Sequence, residues 1–354
     1  MSKILAIGDP HFKVDNTDES TIFIDNLKRW IDEHLHELCK IIVLGDILHT
    51  HEKIHTVALN NAVEFFKMLT NFGIPVYALV GNHDATSNTI FLTNNHWLNT
   101  LKGWDNLTIV DYPIKISYNY SSNSEIVLCP YVPDGRFVEA LNHVNGWKDA
   151  TIVFGHQLIN GAKMGMIVAT DVEEWKLEYP YLISGHIHDK QQVRENAYYT
   201  GSSMQHSFGE SGDKSLCLIS VSDRKVSFEE VYLTIRKKKI LYADVTNLEE
   251  TLEKMKEEVE YKIVLSGEES EFKALKNSSL YKEAMKCDNL KNITFKSKIN
   301  KELTKEMEHK DDDFCKCLQE LVKSEDDPFL TSLYEHVMYG KEDLSDKDVF
   351  FFEN

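Results

Sequence analysis

Apolar positions along the first ninety residues follow two alternating rhythms. Short unbroken runs at 3–8, 40–45 and 74–80 read as buried strands, the third interrupted early by Pro75. Between them apolar residues recur at helical spacing. Phe23, Leu27, Trp30, Ile31, Leu35 and Leu38 mark a predicted helix over 20–39. Val57, Phe65, Phe66 and Leu69 mark a second over 55–71, which Gly73 closes. Strand alternating with helix argues for an α/β layered fold. From Leu107 the rhythm shortens to strand after strand, at 107–110, 114–118, 125–129, 151–155, 181–184, 197–200, 215–221 and 226–233. One helix near 135–145 interrupts the series, and Asn, Gly and Ser clusters separate several members. Past Arg236-Lys237-Lys238-Lys239, which reads as a boundary, the pattern alternates again: strand 240–245, helix 247–258, strand 261–265, helical 270–286, strand 293–298. Three regions follow: 1–235, a small α/β module over 240–299, and an acidic helical tail over 300–354 with amphipathic stretches at 314–322 and 329–337.

Length and charge narrow the picture. A chain of 354 residues exceeds the roughly 250–300 at which single cores stop growing, so two domains and an appendage are expected. No apolar run approaches the ~18–20 residues of a membrane span, and residues 1–8 lack the layout of a secretion signal. The six cysteines are scattered and form no pair of CxxC motifs, which fits a reduced, intracellular setting, cytoplasmic with nuclear or virus-associated as alternatives. The net charge of −18 argues against gripping a polyanion over the whole surface. Residues 301–354 hold seven Lys against sixteen Asp or Glu, a net of −9, so half the excess sits in the last sixth of the chain. A nucleic-acid face would lie elsewhere, and bound cations would reverse the local sign.

Five short segments carry the chemistry, each after a predicted strand: Asp9-Pro10-His11, Gly45-Asp46, Gly81-Asn82-His83-Asp84, Gly155-His156 and Gly185-His186-Ile187-His188. Strand ends in α/β sheets aim their loops at a common crevice, so donors far apart in sequence can converge. Asp9, His11, Asp46, Asn82, His156, His186 and His188 offer a mixed set of carboxylate, imidazole and amide. That set suits first-row divalent cations better than calcium. Seven donors exceed the needs of one tetrahedral ion and match two ions sharing a carboxylate, a pair able to clamp a phosphate for in-line displacement. A lone Asp-x-His is commonly structural; five such segments in order are not.

The ordered set resembles the calcineurin-like metallophosphoesterase superfamily over residues 3 to about 233. That resemblance implies a four-layer αββα sandwich. It implies that Asp9, His11 and His188 hold one metal, that Asn82, His156 and His186 hold the other, and that Asp46 bridges them. His83 would not be a ligand; it would sit by the phosphate and assist the leaving oxygen. Within the superfamily, Gly45-Asp46-Ile47-Leu48-His49 resembles DNA nucleases of the SbcD type, which implies a phosphate-contacting role for His49. The stretch from Tyr199 to Glu210 resembles the segment that follows the last metal motif in those nucleases; His206 has no counterpart to carry over. The module at 240–299 and the tail match their DNA-capping domain and ATPase-binding helices in order and size. The resemblance therefore implies a two-metal, most readily manganese-dependent nuclease (Mg2+, Fe2+ and Zn2+ being other occupants), with 3′–5′ exonuclease and single-strand endonuclease activity. It would act on DNA in recombination and double-strand-break processing, beside an SMC-like coiled-coil ATPase of the SbcC type. It also makes 55–72 a candidate homodimer contact. The enzymatic rival is a phosphoesterase acting on small phosphodiesters or nucleotides. A non-catalytic scaffold is disfavoured because every ligand position and His83 are present.

Overall fold

Strand β1 (Lys3–Ile7) opens the chain and is buried along almost its whole length. It runs into helix α1 (Thr17–His34), strand β2 (Leu38–Val43), helix α2 (Thr56–Thr70) and strand β3 (Val76–Leu79). The strand-rich stretch follows with β4 (Leu107–Val110), β5 (Ile114–Ser117), β6 (Glu125–Leu128), helix α3 (Phe137–Leu141) and β7 (Ile152–Gly155). Then come β8 (Lys163–Met164), β9 (Ile167–Val168), β10 (Tyr181–Ser184), β11 (Gln191–Arg194), β12 (Ala197–Tyr199), β13 (Leu216–Ser222) and β14 (Lys225–Val231). The last elements are β15 (Lys237–Asp244), α4 (Leu248–Glu253), β16 (Val259–Gly267), α5 (Glu269–Asn277), α6 (Ser279–Ala284) and β17 (Leu290–Ser297). This computed structural model describes residues 2–51, 53–119, 124–222 and 224–297, with Val322 and Tyr334. The acidic tail expected at 300–354 lies outside the described residues apart from those two, which are helical and buried.

Two six-stranded sheets result, ordered β14-β13-β1-β2-β3-β4 and β11-β12-β10-β7-β6-β5. They pack face to face. Ile4, Ala6, Ile42, Leu44 and Leu79 from the first meet Ile126, Leu128, Ile152, Phe154 and Ile183 from the second in one core. Alternate residues point the other way. Leu5, Ile7, Ile41 and Val43 pack under α1 and α2 through Phe23, Leu27, Ile31, Phe65 and Phe66. Val127, Val153 and Leu182 pack under Phe137, Leu141, Trp147 and Trp175. The layers are helix, sheet, sheet, helix, an αββα sandwich. Each fully buried Leu, Ile or Phe contributes roughly 1.5–3 kcal/mol. β1, β2 and β3 are mutually parallel, as are β7 and β10, so the loops at their carboxyl ends meet at one edge of the sandwich.

A third, three-stranded parallel sheet, β15-β16-β17, has its own core of Val245, Leu248, Ile263, Leu265 and Ile293. Two polar contacts tie its edge to the sandwich. Gln205 accepts from Lys238 N at 2.7 Å and donates to Lys238 O at 3.2 Å. Lys238 Nζ pairs with Glu19 on α1 at 2.9 Å.

Some boundaries differ from the periodicity. The helix expected over 20–39 ends at His34; Leu38 and Cys39 already belong to β2, with Leu38 paired to Lys3. Leu38 is buried in the core under α1, a position that satisfies the helical stripe and the strand alike. The helical stretch 270–286 is broken at Ser278, whose hydroxyl accepts from Tyr281 N and starts α6. The basic run read as a boundary is largely strand: Lys237 to Lys239 open β15, and Lys238 is buried against Glu19 and Glu260. Lysines at a strand start can bury their stems beside carboxylates, which composition does not reveal. β8, β9 and β11 carry no apolar alternation and were not expected.

Candidate metal centre

The five motif segments meet where the parallel strands end. Main-chain hydrogen bonds knit them together: His11 N to Asp46 O at 3.0 Å, Gly185 N to Gly155 O at 3.1 Å, Tyr131 N to Val80 O at 2.8 Å and Ser203 N to Gly8 O at 2.7 Å. Four of the candidate ligands sit in the left-handed region that non-glycine residues avoid: Asp9 (φ 40°), His11 (44°), Asp46 (50°) and His186 (80°). Such conformations cost of order 1–3 kcal/mol each and persist only where the surroundings over-determine them. Two glycines make room. A Cβ on Gly81 would lie 2.2 Å from Asp46 Oδ1. Gly45, at φ 104°, passes so close to His156 that a Cβ would stand 2.7 Å from its Nδ1.

Two donor groups adjoin each other. Asp9, His11 and His188 bring one ligand atom each within 4.8 Å of one another, and so do Asp46, His156 and His186. His11 Nε2 and His188 Nε2 are 3.0 Å apart. Asn82 Oδ1 completes the second group, 3.0 Å from His156 Nε2 and 2.9 Å from His186 Nδ1. Asp46 faces both: Oδ2 lies 3.4 Å from His11 Nε2 and Oδ1 lies 3.3 Å from His156 Nε2. All seven predicted ligands are therefore in one place, with Asp46 between the groups.

The residues fit a pair of cations. Asp9 Oδ2 is buried with no hydrogen-bond partner among the described residues, an orphan that an ion would satisfy. His156 Nδ1 donates to Leu44 O at 2.7 Å, so Nε2 is the nitrogen turned toward Asn82 and Asp46. Burial opposes charge on His156, yet the neighbouring Asp46 carboxylate overcomes it and pushes the imidazole up to about 9. That same negative field would hold a metal in place of the proton. Burial holds His11 well below its ordinary range and His186 down at about 3, so both rings stay neutral, as ligation requires. Asp46 is held well below the usual carboxylate range by His156 and the other rings despite burial.

His83 and His49 flank this centre. His83 Nε2 is 4.0 Å from Asp46 Oδ2, and its Nδ1 donates to His49 O at 2.7 Å. His49 Nδ1 lies 3.4 Å from His11 Nδ1, so the structure brings both predicted catalytic histidines to the first donor group.

Other side chains here went unread in the sequence. Asp84 accepts from Ile47 N, Leu48 N, Gly81 N and Trp97 Nε1 at 2.9–3.3 Å and clamps the Asp46 loop. Glu210 Oε1 lies 3.4 Å from His188 Nδ1 and its other oxygen accepts from His206 N. His206 packs its ring against His11 and His188, and its Nε2 donates to Asp9 O at 2.8 Å. A carboxylate twenty-two residues beyond His188 gave no spacing signal; only the Phe-Gly-Glu segment hinted at it.

The model of the calcineurin-like phosphoesterase family matches residues 2–190. Two viral proteins named only as predicted phosphoesterases are similar along most of their length. For 244L of Invertebrate iridescent virus 6 the identity is 39%, over 78% of this chain and 98% of that one. For 078R of Invertebrate iridescent virus 3 it is 37%, over 80% and 81%. Exonuclease subunit 1 of Enterobacteria phage T4 is 26% identical over 70% of this chain and 75% of its own.

Proposed function

The chain belongs to the calcineurin-like phosphoesterase family, and from that premise we propose that it is a two-metal phosphodiesterase that cuts DNA. One observation carries the phosphoester chemistry: two buried donor groups share a single carboxylate, Asp46, whose two oxygens face one group each. When bound, two divalent cations supply Lewis-acid polarisation of a phosphate and an activated water. The chain's own residues do the rest. Asp9, His11 and His188 would hold one ion, Asn82, His156 and His186 the other, and Asp46 both. The loops around them fix where a phosphate can sit. His83, anchored through Nδ1 to His49 O, keeps Nε2 available to hydrogen-bond the departing sugar oxygen. His49 would contact a non-bridging phosphate oxygen beside it.

DNA as the substrate finds support in the similarity to a phage exonuclease subunit, in the placement of His49, and in the third sheet docked beside residues 205–210. On this reading the 1–235 region is the nuclease domain, with manganese as the preferred ion. The module after it caps the DNA. The reaction is 3′–5′ exonuclease and single-strand endonuclease cleavage in recombination and break processing, with an SMC-like ATPase of the SbcC type as partner. The segment 55–72 would be a homodimer contact. No described helix is long and apolar enough to cross a membrane.

The test combines elemental analysis with turnover on linear duplex DNA and on a cyclic nucleotide, manganese present. Asp46→Ala is expected to lose metal and turnover together. His83→Ala keeps metal and loses about 10²–10⁴-fold in turnover, the usual worth of a positioned acid–base group. Wild-type turnover in the His83 variant removes that residue from the mechanism. Hydrolysis of the cyclic nucleotide with none of DNA transfers the chain to the small-molecule class.

A further inference from the structure

A cleft of about 560 Å3 opens beside His83, lined by His49, Thr50, His51, Lys53, Thr86, Ser87 and Asn88. We propose that it is a second phosphate subsite, which takes the phosphate of a nucleic-acid strand adjacent to the one held at the metal centre. The inference rests on the phosphodiesterase reading above and adds to it a preference for a substrate with at least two phosphates.

Position is the first argument. His49 lines the cleft and also stands in the donor group with His11 and His83, so the cleft begins one side chain away from the centre. His51 stacks on His83, ring centroids 4.3 Å apart at 25°. A strand lying across His83 therefore runs into the cleft.

Chemistry is the second. The described lining offers an ammonium, two imidazoles, the Thr86 hydroxyl and an amide. It suits a phosphate diester, which carries one negative charge and accepts several hydrogen bonds. Its volume exceeds a phosphate and leaves room for the attached sugar.

The third argument is His51 itself. Its Nδ1 is buried and has no hydrogen-bond partner among the described residues. A ring placed only to pack on His83 would not need a nitrogen there, and a buried polar atom without a partner costs about 1–3 kcal/mol. A turn of the ring that brings this nitrogen to a phosphate oxygen in the cleft would give it a partner. The rim is also shaped to stay open: Thr50 Oγ1 donates to Lys53 O at 2.6 Å, and Ser87 Oγ contacts Thr89 Oγ1 at 2.9 Å and accepts from Thr89 N, so both loops are closed by their own hydroxyls. Tyr131, whose ring leans on His186, reaches Asn88 O at 3.4 Å and ties the far wall to the second donor group.

The experiment compares the manganese-loaded full chain on dTpdT, which has one phosphate, and on dTpdTpdT, which has two. A phosphomonoester, p-nitrophenyl phosphate, serves as the third substrate. Wild type is expected to favour the trinucleotide in kcat/KM by about ten-fold, mostly through KM. Lys53→Ala, in an exposed position, and His51→Phe, which keeps the stacking on His83, should each bring that ratio to near one. Equal kcat/KM on the two diesters by wild type, or variants that lose equally on both, overturns the subsite while the phosphodiesterase reading stands. Hydrolysis of the monoester alone, with neither diester cut, overturns both.

Discussion

Asp84→Asn is the substitution that tests how the bridging carboxylate is held. The Asp84 carboxyl group is buried and takes four donors: Oδ1 receives Ile47 N, Leu48 N and Trp97 Nε1, and Oδ2 receives Gly81 N at 3.1 Å. An asparagine keeps one acceptor oxygen and turns an NH2 group to face the other donors. With the oxygen left toward Trp97, the new NH2 confronts Gly81 N–H; with the amide flipped, it confronts Trp97 and Leu48. Either way at least one backbone or indole donor and the new amide go unsatisfied in a buried place, at about 1–3 kcal/mol each. Part of that is offset, because burial and the nearby Asp46 charge already push the Asp84 carboxyl up to about 7, and a neutral amide escapes that repulsion. The net expectation is a loss of about 2 kcal/mol in stability. The larger consequence is local. The donors it releases, Gly81 N in one orientation and Leu48 N in the other, lie within two residues of Asn82 and Asp46, and removing an outer partner of a metal ligand commonly costs 10–100-fold in affinity. Calorimetric titration of manganese into the metal-free variant reads that term, and denaturant unfolding reads the first. Wild-type manganese affinity in a destabilised Asp84→Asn chain would show that the loop holds its shape without the clamp, and the reasoning would be refuted.

Glu210→Gln should weaken manganese binding by about 10–100-fold through the freed His188 ring, with little change in unfolding, as calorimetric titration can verify. Glu19→Gln leaves Lys238 to the more distant Glu260 at 3.9 Å and should cost about 1.5–3 kcal/mol at neutral pH, read by amide exchange along β15. Burial raises Glu19, but the Lys238 hydrogen bond outweighs it and leaves the carboxyl below its ordinary value of 4.5. A depressed carboxylate stabilises fully above that ordinary value and loses its contribution as pH falls through the folded one, so β15 should loosen in wild type as the pH is taken down below 4.5 and not in Glu19→Gln. Saturating manganese at 100 times its Kd should raise unfolding stability by about 2.7 kcal/mol in wild type and by nothing in Asp46→Ala, measured as a melting shift.

The layers and the centre were legible for the same physical reason. A buried strand must end, and a glycine followed by a ligand marks the end in a way that survives without any knowledge of neighbours. Asp9, Asp46 and His186 were found by that local grammar, and the fold around them followed from where apolar residues alternate. What the grammar misses is the acceptor side of tertiary hydrogen bonds. Asp84 looks like the end of a motif, yet it binds main-chain donors 37 residues away, and a backbone N–H has no residue type to read. Positive φ at His11 is equally silent, since only the assembled site forces it. Lys238 shows the opposite error: its charge suggested a solvated boundary, and three-dimensional pairing with Glu19 buried it in a strand.

These unread contacts are connected, and the connection is what sequence motifs could not supply. Within six residues, Gln205 grips the edge strand of the third sheet, His206 braces Asp9 and the rings of His11 and His188, and Glu210 orients His188. One segment thus touches both the docked module and the first donor group. A shift of β15 of even a few tenths of an ångström must be absorbed by Gln205 or passed to the His188 ring, because the packed rings between them leave no slack. Manganese titration of Glu19→Gln separates the two cases. An affinity equal to wild type places the strain in Gln205 alone, and an affinity lowered toward that of Glu210→Gln makes the module's docking part of the metal centre's own support.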